Sequence, residues 1–219
     1  MGFDFDGTLV NSLDAKIKNA GIVFSEVLNI PQSLVVKKYK RYSGVSRRSL
    51  FDNISLDIIG RKLEEQEYEI LDRKFDEKNS IVYTRNIIYP NTLETLDIIK
   101  SSGMIIYLSS SVPQNTLSDI VRKLRIENYF KEVLGSEENC TKGIEHAKFI
   151  CKQYSLLLEN IAFVGDETAD MKLAKNAGIL PIGITNTTSK EKLINAGAGV
   201  VISKINELIN MLGRKHKSI

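Results

Sequence analysis

The sequence predicts an α/β fold in which helices cover a doubly wound parallel sheet and a helical segment is inserted after the first strand. In residues 87–219, short apolar runs alternate with Gly- or Ser-rich turns and helical stretches. In residues 12–86, apolar residues recur at helical spacing and little resembles a buried strand. Strands covered on both faces are apolar throughout, and strand–helix alternation indicates a parallel sheet. We therefore assign residues 1–11 and 87–219 to a core and residues 12–86 to a helical domain.

Four apolar runs mark strands of the core, each bounded by residues that favour turns or helix ends. Gly103 is placed to end a helix before the first run, and Gly178 to end the helix predicted over 168–177. Asn91 with Glu94 predicts a capping pair at the start of the earlier helix. The runs are 104–108, 161–164, 179–184 and 200–202.

The insertion contains two stretches with helical periodicity. The first follows Ser12 and ends before Pro31, and the second lies among many charged residues. The apolar positions are Leu13, Ile17, Ala20, Phe24 and Val27 in the first stretch and Leu63, Ile70, Leu71 and Phe75 in the second.

Bulk composition narrows the classes of protein. The formal charge is only +3, and basic and acidic residues are interleaved, which argues against a nucleic-acid binder. No apolar run approaches the roughly 20 residues of a membrane span, and the first residues, with an acid at position 4, do not resemble a signal peptide. Cys140 and Cys151 lack the close pairing of a zinc site, so we expect reduced thiols in a cytoplasmic protein. We interpret the basic residues 214–217 as a solvated end.

The segment Asp4-Phe5-Asp6-Gly7-Thr8 is the first candidate for chemistry. Carboxylates two residues apart at the end of a strand lie on one side of the pleat. Gly7 permits a sharp turn and Thr8 can satisfy its backbone. Taken alone, the segment has an Asx-type turn as its alternative interpretation.

A second pair of acids, Asp166 and Asp170, follows the run 161–164. Asp166 leaves the strand end, and Asp170 lies one turn into the next helix, where it can face back. Taken alone, this pair could be a helix-capping device.

Ser109-Ser110-Ser111 directly follows the run 104–108, and Pro113 is placed to open a helix. Hydroxyl and backbone N–H groups at a strand-to-helix turn can bind an anion, although a simple serine cap is the alternative. Lys142 follows the loop predicted over 135–141, where an isolated lysine is usually a solvated charge.

Together, these residues indicate a functional site more strongly than each does alone, because the carboxyl ends of parallel strands share one edge of the sheet where ligands bind. Crowded carboxylates repel and need a cation, and oxygen ligands of this kind suit Mg²⁺. A hydroxyl, N–H groups and an ammonium beside that cation would bind phosphate.

The chain resembles the haloacid dehalogenase-like superfamily, because the motifs of that family occur here in the same order. They are Asp4-Phe5-Asp6-Gly7-Thr8, Ser109, Lys142 and Gly165-Asp166-x-x-x-Asp170. Phosphoglycolate phosphatase and β-phosphoglucomutase-like members are the most similar in appearance. The resemblance implies a Rossmann-like core and a type 1 (C1) helical cap that closes over the substrate.

The resemblance also implies roles for individual residues. Asp4 would be the nucleophile that forms an aspartyl phosphate, and Asp6 would protonate the leaving group and then activate water. Asp4, the backbone carbonyl of Asp6, Asp166 and Asp170 would hold Mg²⁺. The phosphate-binding residues would be Ser109, Ser110 and Lys142.

Three features depart from the family pattern. Only three residues precede Asp4, Asn91 stands where relatives often carry glycine, and Gly143 stands where many carry proline. In addition, Glu167 occupies a place commonly filled by a small hydroxyl residue. These departures leave the chemistry intact, and Glu167 alone concerns the second shell of residues around the metal.

The substrate expected is a small phosphorylated metabolite, bound by a monomer or weak homo-oligomer. Asp6 argues against dehalogenation, since a halide leaving group needs no proton. The loop Gly44-Val45-Ser46-Arg47 resembles that of a phosphomutase, whereas Thr8 and Lys16 favour a phosphatase. Arg47 and Lys16 are the candidate substrate contacts in the cap, since a guanidinium suits a phosphate or carboxylate. A receiver-type signalling domain has its acids in a different order, and a non-catalytic relative would not need all of them.

Overall fold

The computed structural model describes residues 1–43 and 45–212, without the side chain of Arg85. Gly44 of the predicted cap loop and the basic residues 214–217 lie outside the described residues. The chain forms two compact units, one of residues 1–11 and 88–219 and the other of residues 12–87.

The unit of residues 12–87 is helical, and aromatic rings fill the centre of its core. The ring of Phe51 packs edge to face against Phe24, Phe75 and Tyr68, with centroids 5.1, 5.2 and 6.2 Å away. The helices are α1 (Leu13–Leu28), α2 (Gln32–Tyr42), α3 (Arg47–Ile59) and α4 (Glu65–Ser80).

Two positions of the predicted second stretch do not lie on a buried helical face. Ile70 is on α4 but is 40 % exposed. Leu63 is buried but precedes α4, and its N–H donates to Oδ1 of Asp52 at 3.2 Å. The periodicity found the helix but could not locate its first residue, because a buried connection also carries apolar side chains.

The other unit is an α/β core, as predicted, with helices along a parallel six-stranded sheet. Its helices are α5 (Thr92–Ser101), α6 (Gln114–Leu124), α7 (Ile144–Tyr154), α8 (Thr168–Asn176), α9 (Lys190–Asn195) and α10 (Ile209–Leu212). Its strands are β1 (Gly2–Phe3), β2 (Tyr107–Pro113), β3 (Glu132–Ser136), β4 (Ala162–Gly165), β5 (Leu180–Ile184) and β6 (Val200–Ile202).

The strand order is β3-β2-β1-β4-β5-β6, which is doubly wound. The short β1 lies at the centre and pairs with β2 on one side and β4 on the other. Chain order therefore diverges on the two sides of β1, and ligands bind at the carboxyl ends of strands at such a position.

The strand β3 was not predicted. It is the edge strand, most of its residues are only partly buried, and its sequence Glu-Val-Leu-Gly-Ser contains no long apolar run. Its last two residues were assigned to a loop over 135–141. Partial burial at an edge removes the continuous apolar signal that revealed the other strands.

The strand β2 begins three residues later than the predicted run and continues through all three serines. The placement of Ser109-Ser110-Ser111 in a turn was therefore wrong. The register between β2 and β3 shifts between Ser109 and Pro113, and α6 begins directly after Pro113. The irregular strand end takes the place of the expected turn.

The helix α5 begins after Asn91, as predicted, but Asn91 does not form the predicted side-chain cap. Asn91 makes no side-chain cap hydrogen bond and has a left-handed backbone, with φ 65°. Glycine and asparagine adopt that conformation most readily, which explains why Asn91 can replace a glycine there. The helix ends before Gly103 and Gly178 are confirmed, with φ 81° and 72° at the two glycines.

Both cysteines are free thiols. Within the part of the chain that the structure describes, none of the helices has the length and apolar character to cross a bilayer.

Replacing Phe51 by alanine is expected to destabilise the helical unit by about 3–5 kcal/mol, because a buried aromatic ring is lost and a cavity remains. Ile81→Ala is the matched control, since Ile81 belongs to the same unit but is 77 % exposed. Urea denaturation followed by circular dichroism measures both, and the control should change the free energy of unfolding by less than about 0.5 kcal/mol. Equal losses in the two variants would contradict this packing.

Candidate active site

The first acidic segment follows the central strand of the sheet. The N–H of Asp4 donates to the carbonyl of Val164 on β4 at 2.8 Å. Beyond Asp4 the chain folds back, and the carbonyl of Phe5 accepts from the N–H groups of Thr8 and Leu9 at 3.3 and 2.9 Å. This turn holds Asp4, which is 6 % exposed, at the carboxyl end of β1.

Gly7 is required in this turn for two reasons. Its φ of 87° is unfavourable for residues with a side chain. A Cβ atom at this position would also fall 2.3 Å from Oδ2 of Asp166. The turn and the second acidic segment therefore pack against each other without a side chain between them.

Three buried carboxylates meet at this edge: those of Asp4, Asp166 and Asp170. One oxygen of each lies within 4.8 Å of the other two. Asp166 directly follows β4, and Asp170 lies in the first turn of α8, where its Oδ2 accepts from the N–H of Glu167 at 3.0 Å. Oxygen ligands at this spacing could hold a metal ion.

The carboxylate of Asp6 is not one of these three. Asp6 is less buried than Asp4, but its charge is close enough to raise the pKa of Asp4. Asp6 is therefore a fourth carboxylate, beside the cluster of three.

Lys142 completes the cluster from the loop before α7. Its Nζ lies 2.6 Å from Oδ1 of Asp4 and 2.6 Å from Oδ1 of Asp170. Burial lowers the pKa of Lys142, but the carboxylates of Asp170 and Asp4 outweigh this effect and raise it above the ordinary value. The lysine is a buried cation bound to two of the three acids, not a solvated charge.

One ammonium does not neutralise three buried carboxylates. Burial raises the pKa of Asp4 to about 7, although Lys142 opposes the shift. Burial and the charges of Asp4 and Asp170 raise the pKa of Asp166 well above its ordinary value. The cluster therefore binds protons readily and would release them to a divalent cation.

Two threonine hydroxyls orient the carboxylate of Asp166. Oγ1 of Thr8 donates to Oδ1 at 2.7 Å, and Oγ1 of Thr187 donates to Oδ2. Thr8 therefore contacts an acid of the site, whereas the sequence had suggested that it satisfies its own turn. Both oxygens of Asp166 are held by donors, which restricts rotation of the carboxylate.

Asn186, the residue before Thr187, holds the first acidic segment in place. Its Nδ2 donates to the carbonyls of Gly7 and Thr8 at 2.8 and 3.3 Å. The sequence interpretation missed Asn186 and Thr187. They follow β5 after Thr185, so polar residues after the run 179–184 were the signal that could have identified them.

Ser109 and Ser110 lie in the middle of β2 and are buried. Oγ of Ser110 accepts from the N–H of Val112 at 3.2 Å. Oγ of Ser109 lies 2.8 Å from Nδ1 of His146, a residue of α7 that the sequence interpretation also missed. His146 lies in the first turn of α7, four positions after Lys142 in the sequence, and this proximity was the available signal.

The predicted substrate contacts Arg47 and Lys16 both lie in the helical unit, on α3 and α1. Nη1 of Arg47 is 2.5 Å from Oδ1 of Asp72 and 2.8 Å from Oδ1 of Asp76. The guanidinium also lies over the ring of Phe75, 5.2 Å from its centroid. Arg47 therefore joins α3 to α4 within its own unit.

Comparisons with known proteins agree with this architecture. A phosphoglycolate phosphatase of Mannheimia succiniciproducens is 28% identical over 194 residues, covering 84% of each chain. A predicted phosphoglycolate phosphatase structure from Haemophilus somnus has a TM-score of 0.80, 24% identity and 96% coverage of both chains. A hydrolase structure from Pseudomonas syringae has a TM-score of 0.81 at 19% identity and the same coverage. At these identities the two structures show the fold alone.

The model of the haloacid dehalogenase-like hydrolase family matches residues 2–184, which include β1, the helical unit, all three clustered acids and Lys142. The chain therefore belongs to the haloacid dehalogenase-like hydrolases.

Proposed function

We propose that this hydrolase is a Mg²⁺-dependent phosphatase that cleaves a small phosphomonoester through an aspartyl phosphate on Asp4. The observation that carries the proposal is the cluster of Asp4, Asp166 and Asp170, whose oxygens lie within 4.8 Å of one another beside the ammonium of Lys142. An acid cluster that is only partly neutralised fits a site that binds a cation together with an anionic substrate.

Asp4 is the proposed nucleophile because it lies at the centre of the sheet edge and is held by the backbone of β4. Its oxygen would attack phosphorus and displace the alcohol oxygen of the substrate, which splits a slow hydrolysis into two steps. The nucleophile must be ionised. Burial alone would keep Asp4 protonated, and the ammonium of Lys142 at 2.6 Å opposes this protonation.

Asp6 is the proposed general acid and base. It is close to Asp4 but less buried, and its carboxylate is outside the cluster of three. It would give a proton to the leaving oxygen and later take one from the attacking water, as microscopic reversibility requires.

The carboxylates of Asp4, Asp166 and Asp170 and the backbone carbonyl of Asp6 would hold Mg²⁺. When bound, the cation would neutralise charge on the phosphoryl oxygens, so that the phosphorus is more open to attack by the carboxylate of Asp4. The hydroxyls of Thr8 and Thr187 fix the ligand oxygens of Asp166, and partners of this kind set metal affinity.

Lys142, Ser109 and Ser110 are the proposed phosphate-binding groups. The ammonium of Lys142 already lies at the cluster and can pair with a phosphoryl oxygen there. Ser109 and Ser110 lie in the middle of β2, the strand next to β1, and Ser109 lines the same small cavity as Lys142.

The phosphoglycolate phosphatases among the relatives make 2-phosphoglycolate the first substrate to test. Lys16 and Arg47 remain the proposed substrate contacts of the helical unit. Asp72 and Asp76 both hold Nη1 of Arg47, so an anion of the substrate would bind through the other N–H groups of the guanidinium or displace one of these carboxylates.

Wild-type protein with Mg²⁺ is expected to release phosphate from at least one member of a panel that includes 2-phosphoglycolate, nucleotides and sugar phosphates. Asp4→Asn should lower this activity by more than about a thousandfold, since the nucleophile is lost. Asp14→Asn is the matched control, because the Asp14 side chain is 92% exposed on α1. Colorimetric phosphate release measures all three proteins.

Phosphate release that survives in Asp4→Asn would refute the assignment of the nucleophile. Conversion of glucose 1-phosphate to the 6-phosphate in excess of phosphate release would instead identify a phosphomutase.

Mg²⁺ affinity is expected to fall about tenfold for each pH unit below about 7, the pKa that burial imposes on Asp4. Affinity falls toward low pH because protonation of Asp4 removes a ligand, so a proton must leave before the cation binds. Above pH 7 the dependence should level off. Calorimetric titration with MgCl₂ measures this, and an affinity unchanged between about pH 6 and 7 would contradict it.

Thr187→Val is expected to weaken Mg²⁺ binding by about 10–100-fold, because Asp166 loses one of its two hydroxyl donors. Thr188→Val removes the neighbouring hydroxyl and serves as the control, with affinity close to that of wild type. The same titration compares them, and a similar loss in both variants would show that the orientation of Asp166 is not the cause.

A further inference from the structure

His146 is a buried titratable group to which the proposed reaction gives no role. It lies on α7 and is 1 % exposed. Its Nε2 is 3.0 Å from the carbonyl oxygen of Gly135 on β3, and its Nδ1 is 2.8 Å from Oγ of Ser109 on β2. The imidazole therefore connects the edge strand of the sheet to a proposed phosphate-binding hydroxyl.

The partners of the ring determine where its hydrogens lie. A carbonyl oxygen only accepts, so Nε2 must carry a hydrogen that it donates to Gly135. In the neutral ring Nδ1 is then an acceptor, and the hydroxyl of Ser109 donates to it. Serine has a single hydroxyl hydrogen, so in this state Ser109 has none to offer to a phosphate.

The carbonyl that fixes this arrangement is itself held in place. The N–H of Gly135 donates to Oε1 of Gln114 at 2.5 Å. A Cβ at Gly135 would fall 2.5 Å from the Cα of Gln114, so the backbone of β3 is packed directly against the start of α6. Rotation of the imidazole would break its bond to this fixed carbonyl.

The surroundings keep the ring neutral in the free protein. Burial lowers the pKa of His146, the carbonyls of Cys140 and Gly135 oppose the shift, and the charge of Lys142 adds to it. The carboxylate of Glu145 acts in the opposite sense and raises the pKa of the ring. The hydrogen-bond partners of the imidazole on β2 and β3, Ser109 and Gly135, carry no charge.

A phosphate group offers only acceptors, so Ser109 must direct its hydrogen toward it. If the hydroxyl simply turned, Nδ1 would remain buried without a donor, which is unfavourable. If the ring instead takes one proton from solvent at Nδ1, it donates to Oγ of Ser109. The hydroxyl hydrogen is then free for the phosphate, and every polar atom keeps a partner.

We propose that His146 is a positioning residue that controls the direction of the Ser109 hydroxyl, so that binding of a tetrahedral dianion at Ser109 is coupled to uptake of one proton by the imidazole. This proposal rests on the proposed phosphate-binding role of Ser109. It adds a proton-linked step of binding that is separate from the chemistry on Asp4 and Asp6.

The test uses sulfate as the probe, because its charge does not change near neutral pH, and full-length protein saturated with Mg²⁺. The chain has two histidines, His146 and His216, so imidazole NMR signals can be assigned with a His216→Gln variant. At a pH where the free ring is neutral, saturation with sulfate should convert the His146 signal to that of an imidazolium. A His146 signal that stays neutral at saturation would overturn the proposal.

Calorimetry in buffers of different ionisation enthalpy counts the protons taken up. Wild type should take up close to one proton per sulfate, and its affinity should fall about tenfold per pH unit above the pKa of the free ring. His146→Asn should bind without uptake and with a flat pH profile, since a neutral amide can turn to donate to Ser109. Ser109→Ala should lose both the coupling and most of the affinity. An unchanged slope in His146→Asn would also overturn the proposal.

The NMR measurement on wild type decides the question even where a variant fails to fold. The result is also separable from that of the proposed function. Phosphate release without proton uptake would refute only the role of His146. Proton-linked sulfate binding without phosphate release would refute the proposed reaction and leave this coupling in place.

Discussion

The contact of Lys142 with Asp4 and Asp170 is the interaction on which the rest of the site depends. Three carboxylates buried at one sheet edge repel one another, and an ammonium 2.6 Å from two of them offsets part of that repulsion. Removing one partner of a buried charged group leaves the others uncompensated, at a cost of about 3–5 kcal/mol. The lysine thus lets an edge rich in negative charge fold while leaving it attractive to a cation.

Charge balance alone does not fix the positions of the carboxylate oxygens. The loop after β5 holds them in place through hydrogen bonds. Asn186 holds the carbonyls of Gly7 and Thr8, and Thr187 holds the carboxylate of Asp166. The two acidic segments are thus tied together by one short loop. Gly7 allows this approach because any side chain there would meet Asp166. Hydrogen bonds to the backbone and to both oxygens of Asp166 make the arrangement rigid before any ligand arrives.

The helical unit uses its charges differently. Arg47 is bound by Asp72 and Asp76 and lies over the ring of Phe75, so it ties α3 to α4. Its charge therefore stabilises the helical unit, whereas the acids of the core lie together at one edge of the sheet.

Sequence alone determined the elements whose signal is local. The doubly wound α/β class, four strands of the core and the helices around Phe24 and Phe75 follow from apolar runs and periodicity. Asp4, Asp166, Asp170 and Lys142 were selected because strand ends share one edge of the sheet, and the structure brings them together there. The edge strand β3 escaped detection because partial burial leaves no apolar run, and the serines extended a strand instead of forming a turn.

Tertiary structure decided what depends on contacts between distant segments. Thr8 donates to Asp166, which is 158 positions away, and Ser109 meets His146. Asn186 and Thr187 join the site, and Asn91 precedes its helix with a left-handed backbone and without a side-chain cap. A local pattern specifies which face or strand end a residue occupies. It does not specify which hydroxyl, amide or imidazole will face it across the sheet, because that partner is set by register and packing.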